Sequence, residues 1–396
     1  MKIFTLASII FPFIFNFLFL MTNTSNKYFE WIENEKEIGT PPYERAGHSA
    51  VIAQDKMFVY GGHDANNNKL NDLVIFDLKQ HMFMGVVAMN RLVNLHKGKL
   101  QFRENCADKV PLSDSQELSP PPPPRAYHTA VLKDDFMIVY GGCPAEIEGP
   151  LYFLHLDTKT WLKYVNPNSP KEVKIPRSHH SAVMNGDEMI IYGGINGVTP
   201  LHTLLTFNTT KFKWNSYNQN NYPKIYKHSS FIRDGFLYLV GGTTDKANHN
   251  FTKIELKKYT VVSEGNEFPF TLNLSLLATF YDSSRDWLYI HGGYCVGDGD
   301  IECGCSDRLS IIDMKTPSNY VIISSPLVEC PSPRCGHTMV LYDGKLIVFG
   351  GCDRLPLLNG EWVFCDFSNS INRFKPPPPD VQISQVRDYI LSIQKS

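Results

Sequence analysis

Met57-Phe-Val-Tyr-Gly-Gly62 decides the fold, because the chain repeats its pattern five more times. The copies are MIVYGG (137–142), MIIYGG (189–194), LYLVGG (237–242), LYIHGG (288–293) and LIVFGG (346–351). Their glycine pairs are Gly61 and Gly62, Gly141 and Gly142, Gly193 and Gly194, Gly241 and Gly242, Gly292 and Gly293, and Gly350 and Gly351. Successive first glycines are 80, 52, 48, 51 and 58 residues apart. A period near ~50 residues built from short apolar strands is the signature of a propeller or similar array. One such unit cannot bury its own apolar face, so neighbours must stack. A display scaffold is therefore a better first reading than an enzyme.

Working outward, a second signature recurs in phase. His48, His128, His180, His228 and His337 each stand 13 residues before the first glycine of a pair. Arg45, Arg125, Arg177 and Arg334 lie three residues before four of those histidines. Downstream, a second apolar run ends near an acid (LVIFDL, YFLHLD, LSIID, WVFCDF). An aromatic residue then follows, at Phe83, Trp161, Trp214, Tyr259 and Tyr320.

Arg-x-Gly-His, an apolar strand, Gly-Gly, a second strand with Asp and then an aromatic residue resemble the Kelch repeat over residues 28–374. The resemblance implies an all-β, six-bladed Kelch β-propeller, each blade a four-stranded antiparallel sheet around a central axis. Gly-Gly at a strand end suits a sharp turn and a close approach of neighbouring backbone. Two blades depart from the pattern. Ile225 replaces Arg in blade four. Blade five lacks the His, and Leu277 takes that place if Ser283-Ser284 is a two-residue insertion. The first, long step implies an inserted loop between blades one and two, at 84–124, ending in a stiff run of prolines. Tyr28-Phe29-Glu30-Trp31 reads as the strand that closes the ring. Ser370 to Phe374 is a poorer candidate.

Both ends lie outside the propeller. Residues 3–21 are almost wholly apolar, and residues 1–22 read as a signal peptide or signal-anchor forming an apolar helix. The segment is the expected membrane contact, and it implies a secreted or membrane-anchored protein; the alternative is a cytoplasmic one. Residues 375–396 combine a Pro-rich linker with a helical tail, whose Val381, Ile383, Val386 and Ile390 recur at helical spacing.

Charge excludes one class of partner. Lys+Arg 38 against Asp+Glu 40 leaves a formal charge of -2, with no basic stripe for nucleic acid. Equivalent positions of a propeller form rings, so Arg45, Arg125, Arg177 and Arg334 are expected around one mouth. The resemblance implies that they line a partner pocket for an acidic peptide; alternatively they bond backbone carbonyls and stitch adjacent blades. The histidines are expected to hydrogen-bond within their own blades. Cys295, Cys303, Cys305, Cys330 and Cys335 fall in loops. They fit disulfides in an oxidising lumen, free thiols, or, less well matched in spacing, a metal site. No metal or other cofactor is expected. Asp298, Asp300 and Glu302 do not complete a calcium loop, because Cys303 and Leu309 replace its Gly and Glu. The iron motif of plant specifier propellers begins at Glu104 and Asp108 but ends on Leu112. No hydrolase, nucleotide-binding or metalloprotease motif occurs. The expectation is a monomeric, non-catalytic protein-interaction module, with a secreted carbohydrate-active or carbohydrate-binding propeller of the galactose-oxidase-like type as the alternative.

Overall fold

The computed structural model describes residues 29–32, 38–39, 41–87, 120–144, 146, 149–244, 251–264, 274–295, 304–325, 330–353 and 371–394. Six four-stranded antiparallel sheets stand around one axis. Blade one runs Ser49–Ala53, Lys56–Tyr60, Leu73–Asp77 and Met82–Val87. Blades two to five repeat that order, beginning at Thr129, Ser181, Ser229 and Ala278. The innermost strand of each blade touches those of both neighbours, and the strand of blade six that begins at Thr338 touches that of blade one, so the ring is closed.

Each second strand is the apolar run that ends in Gly-Gly, and it lies buried between the first and third strands. Val59, for example, pairs with Ala50 on one side and Val74 on the other. A strand covered on both faces reads as a continuous apolar run, which explains the pattern that stands out in the sequence. The cores lie between blades: Met57, Val59 and Phe76 of blade one pack with Ile347, Phe349 and Ile371 of blade six.

Blade five accommodates its insertion in one turn. Asp282 pairs with Trp287 across four turn residues, where Ala53 pairs with Lys56 across two. Leu277 therefore precedes the first strand, in the place His48 holds in blade one.

Blade six joins the two ends of the chain. Its strands are Thr338–Tyr342, Lys345–Phe349, Ile371–Lys375 and, outermost, Glu30–Ile32 from the N-terminal side. Trp31 pairs with Phe374, and both are buried. One expectation is corrected here: Ile371–Lys375, not WVFCDF, supplies the third strand. Ile371 and Phe374 fill the core-facing positions, and Ile371 pairs with Phe349. The WVFCDF run falls outside the described residues.

A helix, Ile383–Gln394, follows the prolines. Its Ile383, Val386 and Ile390 are buried against Val321 and Ile323 of blade five. The apolar N-terminal segment and most of the 84–124 insertion lie outside the described residues. No helix among the described residues is long and apolar enough to cross a membrane.

Candidate functional site: the axial mouth

The first two strands of a blade form a hairpin, so the segment before the first strand and the glycines after the second emerge at the same end. These segments pair there: Ala46 with His63, Ala126 with Cys143, Ser178 with Ile195, Tyr226 with Thr243, Ser275 with Tyr294, and Cys335 with Cys352. This end is the mouth that the repeat signatures build, and three rings of contacts hold it.

The first ring is backbone to backbone between blades. The second glycine of each pair donates its N–H to the residue at the Arg position of the next blade. Gly62 donates to Arg125 O, Gly142 to Arg177 O, Gly194 to Ile225 O, Gly242 to Leu274 O, Gly293 to Arg334 O and Gly351 to Arg45 O, at 2.8–2.9 Å. Close approach explains the first glycine. At Gly193 (φ 60°) a Cβ would meet Ile225 O at 2.4 Å.

The second ring is also backbone to backbone. Gly47, Tyr127, His179, Lys227, Leu276 and Gly336, each preceding a His or its equivalent, all have positive φ. Gly47 N–H donates to Gly336 O, Tyr127 to Gly47, His179 to Tyr127, Lys227 to His179, Leu276 to Lys227 and Gly336 to Leu276, at 2.7–3.0 Å. Six peptide groups thus close a continuous belt around the axis. Sequence reading missed it. Its one signal is Gly in the Arg-x-Gly-His of blades one and six, since the other four blades pay the left-handed conformation with ordinary residues.

The third ring is formed by the histidines, and it corrects the expectation that they bond within their blades. His128 Nε2 meets Ser49 Oγ at 2.8 Å, His180 meets Thr129, His228 meets Ser181, and His48 meets Thr338, always in a neighbouring blade. Where blade five has Leu277, Ser229 bonds Thr279 instead, at 2.6 Å. His337 finds His291 Nδ1 at 3.0 Å. Burial holds His48, His128, His180, His291 and His337 below their ordinary pKa, at about 3 for His128 and His291. They are neutral, hydrogen-bonded spacers.

The four arginines are also explained. Arg45, Arg125, Arg177 and Arg334 are 0%, 1%, 1% and 3% exposed. Each donates from Nη1 to the first glycine's carbonyl 16 residues on: Gly61, Gly141, Gly193 and Gly350, at 2.8–3.1 Å. Arg45 adds a bidentate pair to Asp72, both bonds 2.8 Å, and Arg125 a 2.7 Å bond to Glu146. Arg177 reaches Thr203 Oγ1 and Glu172 O, and Arg334 the Ser332 hydroxyl. Buried guanidiniums bound to their own blades offer no open face to an acidic peptide. The expectation that they line the partner pocket gives way to a role in fixing the mouth. They stitch within blades through side chains and between blades through their carbonyls.

Cysteines cluster at one side of this mouth. Cys335 and Cys352 are buried with Sγ atoms 3.9 Å apart, and Cys305 Sγ lies 3.4 Å from Cys352 O. Contact with Cys305 and Cys352, together with burial, pushes the Cys335 thiol well above its usual pKa. None of Cys295, Cys305, Cys330 and Cys335 forms a disulfide with a described residue, and Cys303 lies outside the described residues. Among the described residues, no three His, Cys, Asp or Glu side chains are placed to hold a metal ion.

Matches to known proteins agree with this geometry. A family model described as the KLHDC2/KLHL20/DRC7 Kelch-repeats domain matches residues 99–264. The Kelch motif model matches residues 44–89 and 333–373. The chain is a Kelch-repeat propeller. It is 33% identical over 170 residues to host cell factor 1 of Homo sapiens, covering 39% of this chain and 7% of that protein. Host cell factor of Drosophila melanogaster is 29% identical over 217 residues, covering 51% of this chain and 12% of that protein. Acyl-CoA-binding domain-containing protein 5 of Arabidopsis thaliana is 25% identical over 314 residues, covering 69% and 48%. The Kelch chain spans less than half the length of each of these relatives.

Proposed function

We propose that this Kelch propeller is a non-catalytic protein-interaction module that presents its mouth loops on a rigid ring. One observation carries the reading: the repeated Arg, His and Gly residues are buried in ring-building, and variety is confined to the loops above them. The residue after each glycine pair is His63, Cys143, Ile195, Thr243, Tyr294 or Cys352, different in nearly every blade. Large apolar groups stand exposed there, Tyr43 at 76% and Val198 at 90%. Conserved geometry beneath variable loops is how a scaffold presents a binding surface. Sparse, exposed aromatic and aliphatic anchors fit a protein partner.

The test is capture of partners by the intact chain from native extract, beside a Tyr43→Ala, Val198→Asp variant. The reading predicts a partner retained by the native chain and lost or weakened with the variant, at unchanged melting temperature. A native chain that retains no protein overturns it.

A further inference from the structure

The cysteines of blades five and six are arranged in depth. Cys335 and Cys352 face each other across an antiparallel bridge. Cys335 N–H donates to Cys352 O at 2.8 Å, and Cys352 N–H donates to Cys335 O at 3.0 Å. A pair that exchanges both bonds holds its Cα atoms about 5.5 Å apart. That lies inside the range of roughly 4.4–6.8 Å over which a disulfide closes without moving the main chain. The two Sγ atoms already stand 3.9 Å apart, so closure asks only for side-chain rotation. The pair is shut off from water, at 0% and 2% exposed, and packs with Ala46 of blade one. Cys305 is the half-buried thiol of the cluster. Its Sγ donates to Cys352 O at 3.4 Å and also contacts Cys335.

The three thiols therefore differ in what they can meet. Contact with Cys305, then with Cys352, and burial push the Cys335 thiol well above its usual pKa. The thiolate is the reactive form, so a buried thiol held neutral is inert to an oxidant in solution. Cys305 is the one such an oxidant reaches first. Position in the fold gives the cluster its consequence. Cys335 precedes Gly336 of the belt, and Cys352 follows Gly351, whose N–H donates to Arg45 O of blade one. A bond between Cys335 and Cys352 would tie the belt to the glycine ring at the blade that joins the two ends of the chain.

We propose that Cys305, Cys335 and Cys352 form a thiol relay, which a low-molecular-weight disulfide such as oxidised glutathione converts into a Cys335–Cys352 bridge. Exchange runs through mixed disulfides. The Cys305 thiolate attacks one glutathione sulfur, and the first glutathione leaves with the proton that Cys305 gave up. Cys335, losing its own proton, attacks Cys305 Sγ and expels the second glutathione, which takes that proton. Cys352 then attacks Cys335 Sγ. The bond from Cys335 to Cys305 breaks, and Cys305 is restored as a thiol by the proton from Cys352. In total two protein thiols are oxidised to one disulfide, and one glutathione disulfide is reduced to two thiols. The bridge closes a loop over 17 residues of sequence and stands apart from the interaction reading. Such a loop restricts the unfolded chain, so the oxidised form resists denaturant better than the reduced one.

The test uses the full chain, first reduced and then incubated with oxidised glutathione in the absence of denaturant. Remaining thiols are alkylated in denaturant, and the unreduced digest is mapped by mass spectrometry. The peptides of Cys335 and Cys352 should appear linked and Cys305 alkylated, and added dithiol should reverse the link. The oxidised chain should unfold at a higher denaturant concentration than the reduced chain. Cys305→Ser, at the half-buried position, should slow bridging about tenfold or more, since the buried pair then lacks its point of entry. Cys335→Ala should leave glutathione on Cys305, and Cys352→Ala should stop the relay at a bond from Cys305 to Cys335. Separate alkylation of Cys335 and Cys352 in the native chain, or a link from either to any other cysteine, would overturn the proposal. Bridging of Cys305→Ser at the native rate would overturn the relay. Mapping of the native chain and of Cys305→Ser decides both points even if a variant of the buried pair fails to fold.

Discussion

Blades one, two, three and six carry the Arg of the repeat; blades four and five do not, yet all six sit in one unbroken ring. In blade one, Arg45 bonds Gly61 O and Asp72. In blade four, Ile225 occupies the same place, 1% exposed, among Tyr192, Leu204, Tyr222 and Leu237. What survives the exchange is the main chain. Gly194 donates to Ile225 O as Gly351 donates to Arg45 O, both at 2.9 Å. The ring is therefore closed by peptide groups, and the side chain at this place only decides how each blade fills the space beside them. Blade five makes the same point through its hydroxyl pair, Ser229 with Thr279, where other junctions use His.

The largest way to break this comparison is acid. His48, His128, His180, His291 and His337 are buried with pKa values held below the ordinary His value, mainly by burial. Unfolded, each takes up a proton near pH 6.5; folded, His128 and His291 do so only at about 3. Between those limits the unfolded chain binds more protons, so stability is full above about pH 6.5 and falls as pH drops. Each such His removes about 1 kcal/mol per pH unit in that window. Denaturant midpoints taken at falling pH should drop steeply below about pH 6. A flat profile from pH 7 to 4 would show that these histidines are not held neutral by burial in the folded chain.

Gly193→Val comes next. The φ of 60° and the 2.4 Å approach to Ile225 O leave no place for a side chain. A loss of about 3 kcal/mol or more is expected in chemical unfolding. Gly197, with φ also 60° and nothing within 4 Å, sharpens the comparison: Gly197→Ala should cost about 1 kcal/mol from conformation alone. Equal losses at both sites would mean that close packing between blades is unimportant.

Ile225→Arg tests the exchange itself. If the repeat Arg were stabilising in any blade, restoring it should help. Blade four gives it an apolar cluster, so a loss of about 2–3 kcal/mol is expected, as for a charge buried without an acidic partner. A gain would show that Arg alone suffices.

These contrasts also mark what the sequence makes legible. The Gly-Gly runs are readable because a strand buried on both faces must be continuously apolar, and the in-phase spacing of His reflects a contact with the preceding blade. Closure by residues 30–32 is readable from Phe29 and Trp31, two aromatic residues next to a polar linker. The axial belt is nearly invisible, because Tyr127, His179, Lys227 and Leu276 adopt its left-handed conformation without being Gly. The partner-facing role expected of the arginines fails for a related reason. A ring position fixes where a residue stands along the chain, but not whether its side chain turns inward or out.

The central claim is that peptide groups, not the repeat side chains, close the ring, and amide hydrogen exchange tests it most directly. The N–H groups of Gly47, Tyr127, His179, Lys227, Leu276 and Gly336 form the belt. The account predicts that all six exchange together, at the rate of global unfolding, including Lys227 and Leu276 beside the blades that lack Arg or His. Early exchange confined to Lys227 and Leu276 would contradict it, and would make the Arg and His side chains the true fastenings of the ring.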